Sequence, residues 1–277
     1  MTHPWRSSVR EILHRLRVAG PMIVLVVGWS AASWVLGSGR LPGPLESLRL
    51  LGTTIGENPV VAAQGGGSWG YSIHVLSTFW HVLAGASGGM IIGCLGALLA
   101  AQSSLSWSVA DTLLEAIRTV PPLIVVPFAA IALSGSNSVQ LVSVALYAAL
   151  MMAVYTFNAI ENIPLNYVQL ATLLGASRLR RMANVQIPAM LPRLLGPVRV
   201  VLAFSLGISV VAEYLASPTG IGRVMKFAMA YSDVHLIVVG VLWTVIIAFV
   251  YDAATVLFFG FFMRWTGRRQ LVEWMAR

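Results

Sequence analysis

The chain has 277 residues, of which 57% are hydrophobic and only 10% charged, and its mean hydropathy is +0.80. So little polar side chain cannot clothe a soluble globule of this length, and the sequence belongs in a bilayer. The formal charge of +8 excludes little by itself. A nucleic-acid footprint needs a soluble domain with a clustered basic face, whereas arginine-bearing loops held on the cytoplasmic side of a membrane produce the same excess.

The expected fold is an all-α membrane protein, residues 1–277 forming a single transmembrane domain. A spanning helix needs roughly 20 mostly apolar residues, and six candidate spans follow one another. Residues 1–17 carry Arg6, Arg10, Arg15 and Arg17 and form a short segment before the first span, Val18 to Leu36. That first apolar run is too long and too weakly terminated for a secretory leader, so it is expected to stay in the mature protein. The connection 37–73 contains Leu41-Pro42-Gly43-Pro44 and Gly65-Gly66-Gly67-Ser68-Trp69-Gly70, which predicts an irregular loop. The second group matches G-x-G-x-x-G, but no βαβ unit surrounds it and a dinucleotide site is rejected.

The second span runs from about Val75 to Ala101. Gly85, Gly89 and Gly93 recur every four residues in it, a small-residue ridge that lets another helix approach closely. Cys94, the one cysteine, can form no intrachain disulfide and reads as a packing residue. The third span, about Asp111 to Leu133, carries Pro121, Pro122 and Pro127 after Arg118. Prolines free backbone carbonyls that neighbours or a watery path must satisfy, so a broken helix beside a translocation path is expected. The fourth span covers Val139 to Phe157, the fifth Leu194 to Leu215 and the sixth Leu236 to Phe262.

Charge counting orients the six spans. With both termini cytoplasmic, that side receives the four arginines of residues 1–17, then Arg178, Arg180, Arg181 and Arg193, and finally Arg264, Arg268, Arg269 and Arg277. The other side receives Arg40, Arg49, Arg223 and Lys226. Twelve against four places both ends inside and residues 37–73 outside.

Four ionisable groups fall inside spans, where charge is costly and faces the bundle interior or water: Arg118, Arg199, Glu213 and Asp252. Asp252 is expected to form a structural ion pair with Arg118 or Arg199. Glu213 lies near the outer end of span five, where it either lines an outer gate or caps the loop that follows. His74, His81 and His235 lack metal-ligand spacing, so no metal is expected, and no Ser-His-Asp or Cys-His constellation suggests catalysis.

The 158–193 connection is too long for a turn and too charged for lipid, and charge counting places it in the cytoplasm. Within it Tyr167 to Leu179 is rich in helix formers, and Leu170, Leu173 and Leu174 share one face by i, i+3, i+4 spacing. An apolar face on a short helix outside the bilayer is a surface for a partner groove.

This loop resembles that of the permease subunits of binding-protein-dependent ABC importers. Their motif is Glu-Ala-Ala, three residues, Gly, nine residues, then Ile-x-Leu-Pro. Here Gln169-Leu170-Ala171, Gly175 and Val185-Gln186-Ile187-Pro188 keep that spacing, with Gln169 and Leu170 as departures. The resemblance covers roughly residues 75 to 265. Arg118-Thr119-Val120-Pro121-Pro122, Pro127, Ala212-Glu213 and Gly220-Ile221-Gly222 are similar to the nitrate, sulfonate and taurine branch.

The resemblance implies a permease that binds no cofactor itself, with ATP and Mg on a separate ABC ATPase dimer. It also implies a second permease chain, a homodimer being expected, and an extracytoplasmic solute-binding protein. No G-x-x-x-x-G-K-[ST] loop is present. The docking residues implied are Gln169, Leu170, Ala171, Leu173, Leu174, Gly175, Ala176, Ser177, Arg178 and Pro188, on a coupling helix of about Val168 to Leu179. Arg118, Pro121, Pro122, Pro127 and Glu213 are assigned to the translocation path or gate. Two other classes stay open: a proton-coupled secondary transporter using Glu213 and Asp252, and an intramembrane enzyme.

Overall fold

The computed structural model describes the backbone of residues 4–133, 136 and 138–263, with side chains from residue 20 onward. Eight of the twelve arginines used for orientation therefore lie outside the described side chains. The described residues are helices joined by turns, with no strand among them. Those of eight or more residues are, in chain order, α1 (Pro4–Leu36), α2 (Pro44–Thr53), α3 (Gly70–Ala100), α4 (Ser104–Ile117), α5 (Val125–Ala132), α6 (Ser138–Glu161), α7 (Leu165–Leu173), α8 (Ile187–Ala216), α9 (Ile221–Ala230) and α10 (Val234–Phe262).

Among the described residues four helical stretches are long and apolar enough to cross a bilayer: α3, α6, the run Arg178–Ala216 that ends in α8, and α10. A fifth apolar unit is broken, α4 and Pro122–Ala132 meeting at a bend of 77°. The expected third span, Asp111 to Leu133, is thus broken at its prolines as expected, and its first helix starts earlier, at Ser104. Ser103 caps the start of α4, its hydroxyl accepting from the Ser106 amide at 3.1 Å. The end of α4 tightens through Thr119 N–H to Ala116 O and Val120 N–H to Ile117 O. Pro121 and Pro122 then have no amide with which to continue the ladder.

Other boundaries move for equally local reasons. The expected first span, Val18 to Leu36, falls in the second half of a 33-residue helix, α1. Two ten-residue helices were not expected: α2, opened by Pro44 at its first turn, inside the 37–73 connection read as irregular, and α9 after span five. α6 continues to Glu161 and α8 begins at Ile187, so the 158–193 connection is shorter than its composition suggested.

The core is built on α3 and α6. A methyl group added at Gly85, Gly89 or Gly93 would lie 3.0, 2.2 and 2.2 Å from the carbonyl oxygens of Leu141, Ala145 and Ala149. The glycine ridge therefore lies directly on the α6 backbone, with Val82, Ala86, Val144 and Ala148 fully buried along the seam. α8 packs on the other side of α6, and α10 closes against α3 through stacked Phe79 and Tyr251, centroids 5.2 Å apart. α1 stands apart: Trp29 Nε1 donates to Pro42 O at 3.0 Å and Ser33 Oγ to Leu41 O at 2.8 Å. Its Met22 to Val27 and Trp34 to Leu36 side chains are exposed, a surface suited to hydrocarbon or another chain.

Candidate functional site

α6 enters at one end of the bundle with Gln140 and leaves at the other toward α7, so the two candidate regions lie at opposite ends. At the α7 end the helix is shorter than expected, Leu165–Leu173 and not Val168 to Leu179. Gly175 stops it at φ 74°. The amides of Gly175 and Ala176 return to Thr172 O and Ala171 O, both at 3.0 Å, the bond pair of a Schellman ending. Ser177 then caps a second turn, Arg178–Arg181, by accepting from the Arg180 amide, and a π-helical turn, Met182–Gln186, leads into α8. Gly175 serves as this left-handed stop and not as a packing glycine, since an added methyl there would meet nothing within 4 Å.

The reversal brings both ends of the sequence motif together. A groove of about 440 Å³ is lined by Tyr167, Leu170, Ala171 and Leu174 on one side and by Asn184, Val185, Pro188 and Ala189 on the other. Leu170, Leu173 and Leu174 are 56%, 85% and 78% exposed, while Gln169 points to solvent beside them. Arg178 Nη1 reaches Gln102 O at 3.3 Å and Arg181 Nη1 donates to Thr172 Oγ1 at 3.0 Å. These two arginines tie the turn to its own chain.

At the opposite end three successive amides, those of Gly220, Ile221 and Gly222, are each captured by a side chain. Gly220 N–H donates to His74 Nδ1, Ile221 N–H to Thr78 Oγ1 and Gly222 N–H to Glu213 Oε2, all at 3.0 Å. His74 Nε2 also bonds Gly66 O at 2.6 Å. Because Nδ1 accepts from a backbone amide, the ring is the Nε2–H tautomer, donating to that carbonyl. Ser209 Oγ donates to Glu213 Oε1 at 3.1 Å, and Gln140 Nε2 donates to Thr219 O at 3.1 Å and to Ser217 Oγ. Glu213 is 1% exposed and is the anchor of this loop. A methyl group at Gly220 would fall 2.2 Å from Glu213 Cδ, and one at Gly222 would fall 2.0 Å from Val210 O. Glycine at both places is what lets the loop seat on the carboxylate.

Sequence reading located Glu213 and the two glycines but missed His74, Thr78, Gln140 and Ser209 as their partners. The available signal was a set of polar side chains in otherwise apolar helices; counting ionisable groups alone passes over amides and hydroxyls.

The remaining expected residues are placed separately. Asp252 is joined to Arg199, through Nε and through Nη2 to Oδ2 at 3.0 Å, with side chains 41% and 35% exposed. Arg118 is not its partner. It sits where α4 ends and approaches Glu115 at 3.5 Å, both largely exposed. Pro121 and Pro122 form the break and Pro127 lies inside α5. No group of three His, Cys, Asp or Glu side chains able to hold a metal occurs among the described residues.

A glycine-seamed helical bundle with an exposed apolar turn at one end also coincides with a known pattern. Residues 89–271 match the family described as the binding-protein-dependent transport system inner membrane component. The chain belongs to this family. It is a multi-pass, inner-membrane permease subunit of an ABC importer. The nitrate import permease protein NrtB of Synechocystis sp. is 25% identical over 86% of this chain and 85% of its own length. The taurine transport system permease protein TauC of Escherichia coli is 24% identical over 83% and 82%. Among solved structures, an inward-facing MetNI methionine ABC transporter superposes with a TM-score of 0.54 over 66% of this chain and 93% of that one, at 20% identity. That likeness establishes the fold alone. It identifies the inner-membrane component's helical arrangement and leaves ligand and conformational state aside.

Proposed function

We propose that this permease forms half of the translocation path of an ATP-driven importer for a small anion bearing a sulfonate or nitrate-like head, delivered by an extracytoplasmic binding protein. The path has six spans from each of two identical chains, with both termini in the cytoplasm. α1 supplies the first span and the α4–α5 pair the third, its break at Pro121 and Pro122 facing the path. ATP and Mg reside on the partner ATPase dimer, and this chain binds no cofactor.

The observation that carries the reading is the α7 turn. Leu170 and Leu174 line a groove together with Val185 and Pro188, and Leu173 stands free beside it, 85% exposed. An apolar helix face outside the bilayer, fixed by a Schellman stop and two arginine tethers, is a rigid peg for a partner's groove. Relatives named for nitrate and taurine support the anion class.

The test is reconstitution of the chain with its ATPase and binding protein in liposomes. ATP-dependent uptake of labelled taurine or nitrate is expected, and Leu170→Asp with Leu174→Asp is expected to abolish both uptake and ATPase co-purification. Uptake that persists without ATPase and collapses when the proton gradient is dissipated would replace this reading by proton-coupled secondary transport.

A further inference from the structure

The loop anchored by Glu213 forms one wall of a pocket of about 280 Å³. The facing wall is the turn Gly65–Trp69, which is held in place because His74 bonds Gly66 O on one side and the Gly220 amide on the other. Gly65 and Gly67 take φ 90° and 77°, conformations that bare the backbone of the turn. The pocket is large enough for a small oxyanion.

Arg223 is the cation of this pocket. It is half-buried, its guanidinium lies 5.0 Å over the Phe227 ring, and Nη1 makes a long bond of 3.4 Å to Ser217 O. No carboxylate pairs with it among the described residues. Glu213 is taken by Gly222 and Ser209, and Asp233 by Gln64 Nε2 at 2.8 Å and the Leu236 amide at 3.1 Å. An aromatic face orients the planar fork without neutralising it, which leaves donors for a bidentate oxyanion.

We infer that this pocket is an anion-receiving site at the outer mouth of the permease, in which Arg223 grips the sulfonate or nitrate-like head against the Gly65–Ser68 turn. The inference rests on the anion reading above. Occupancy draws Arg223 away from Ser217 O, the first residue after α8, so the loop held by Glu213 and His74 registers the arrival of the anion.

The purified permease–ATPase complex in nanodiscs, without binding protein, is dialysed to equilibrium against labelled ethanesulfonate. Saturable binding is expected for the wild type, weakened about tenfold or more by Arg223→Gln through loss of a charge-assisted bond. Arg223→Lys recovers it in part. Ser68→Phe, an exposed substitution that fills the pocket and leaves the arginine intact, is expected to block it too. Lys226→Gln removes an exposed charge one turn away and leaves binding unchanged. Absence of saturable binding in the wild type, or binding equal in Arg223→Gln and wild type, overturns the site. Failure of the wild-type liposomes to take up any anion overturns the anion reading itself, so the two failures are told apart.

Discussion

The contact between α3 and α6 can be tested with single methyl groups. An alanine Cβ at Gly89 would sit 2.2 Å from Ala145 O and 2.9 Å from Ala148 Cβ, and one at Gly93 would sit 2.2 Å from Ala149 O. Each is roughly 1 Å short of an ordinary van der Waals contact, and the obstacle is backbone, so no side chain can swing aside. The helices must separate by about that amount, at an overpacking cost of about 1–3 kcal/mol. At about 2–4 °C per kcal/mol the thermal midpoint in detergent should fall by roughly 2–12 °C. Gly88 and Gly96 lie on the same helix with nothing within 4 Å of an added methyl, so Gly88→Ala and Gly96→Ala should be neutral or slightly stabilising through better helix propensity. In the double variant Gly89→Ala/Gly93→Ala the first methyl opens room for the second, and the loss should fall short of the sum. The assay is thermal unfolding followed by size-exclusion chromatography, with liposome uptake in parallel. Equal losses for Gly88→Ala and Gly89→Ala would refute the close-approach argument.

Three further outcomes follow from the sites. Leu173→Glu, at an 85% exposed position, should leave the midpoint of the isolated chain unchanged while reducing ATPase co-purification severalfold, whereas Gln169→Glu should alter ATPase coupling only modestly; a destabilised Leu173→Glu chain would contradict the docking assignment. Glu213→Ala orphans the Gly222 amide and the Ser209 hydroxyl in a buried site, at about 1–3 kcal/mol for each group, while Glu213→Gln retains an acceptor for Gly222 and should recover most of the loss. If glutamine is as damaging as alanine in thermal unfolding, anchoring by hydrogen bonds is the wrong account. Asp252→Asn leaves Arg199 without its counter-charge inside the bilayer and should lower membrane yield severalfold, while the charge-free pair Arg199→Met/Asp252→Leu should restore it. Wild-type yield of Asp252→Asn on quantitative immunoblots would exclude a structural ion pair.

Much of this permease is legible without coordinates, because lipid makes composition speak loudly. Runs of apolar residues at Val75 to Ala101, Val139 to Phe157 and Leu236 to Phe262 have few alternatives to spanning helices, as backbone polar groups must be satisfied within the segment. The four-residue spacing of Gly85, Gly89 and Gly93 announced a close helix contact, and the spacing from Gln169 to Pro188 announced the family. Both are local patterns that survive without knowing the partner. The short helices α2 and α9 escaped, since ten residues of mixed character carry little periodic signal.

What tertiary structure decided is which groups meet. The sequence left Asp252 between Arg118 and Arg199, because depth along a helix axis cannot say which faces look at each other; packing of α8 against α10 chooses Arg199, and Arg118 lies at the end of α4 beside Glu115. It left Glu213 between gate and cap, and only the fold shows three consecutive amides of the 220–222 loop received by His74, Thr78 and Glu213, side chains from helices far apart in the chain. Spans and spacing are written in one dimension because lipid and helix periodicity act residue by residue. Partnerships between polar groups in the interior depend on the rotation and crossing of whole helices, and those are set by the summed packing of the bundle.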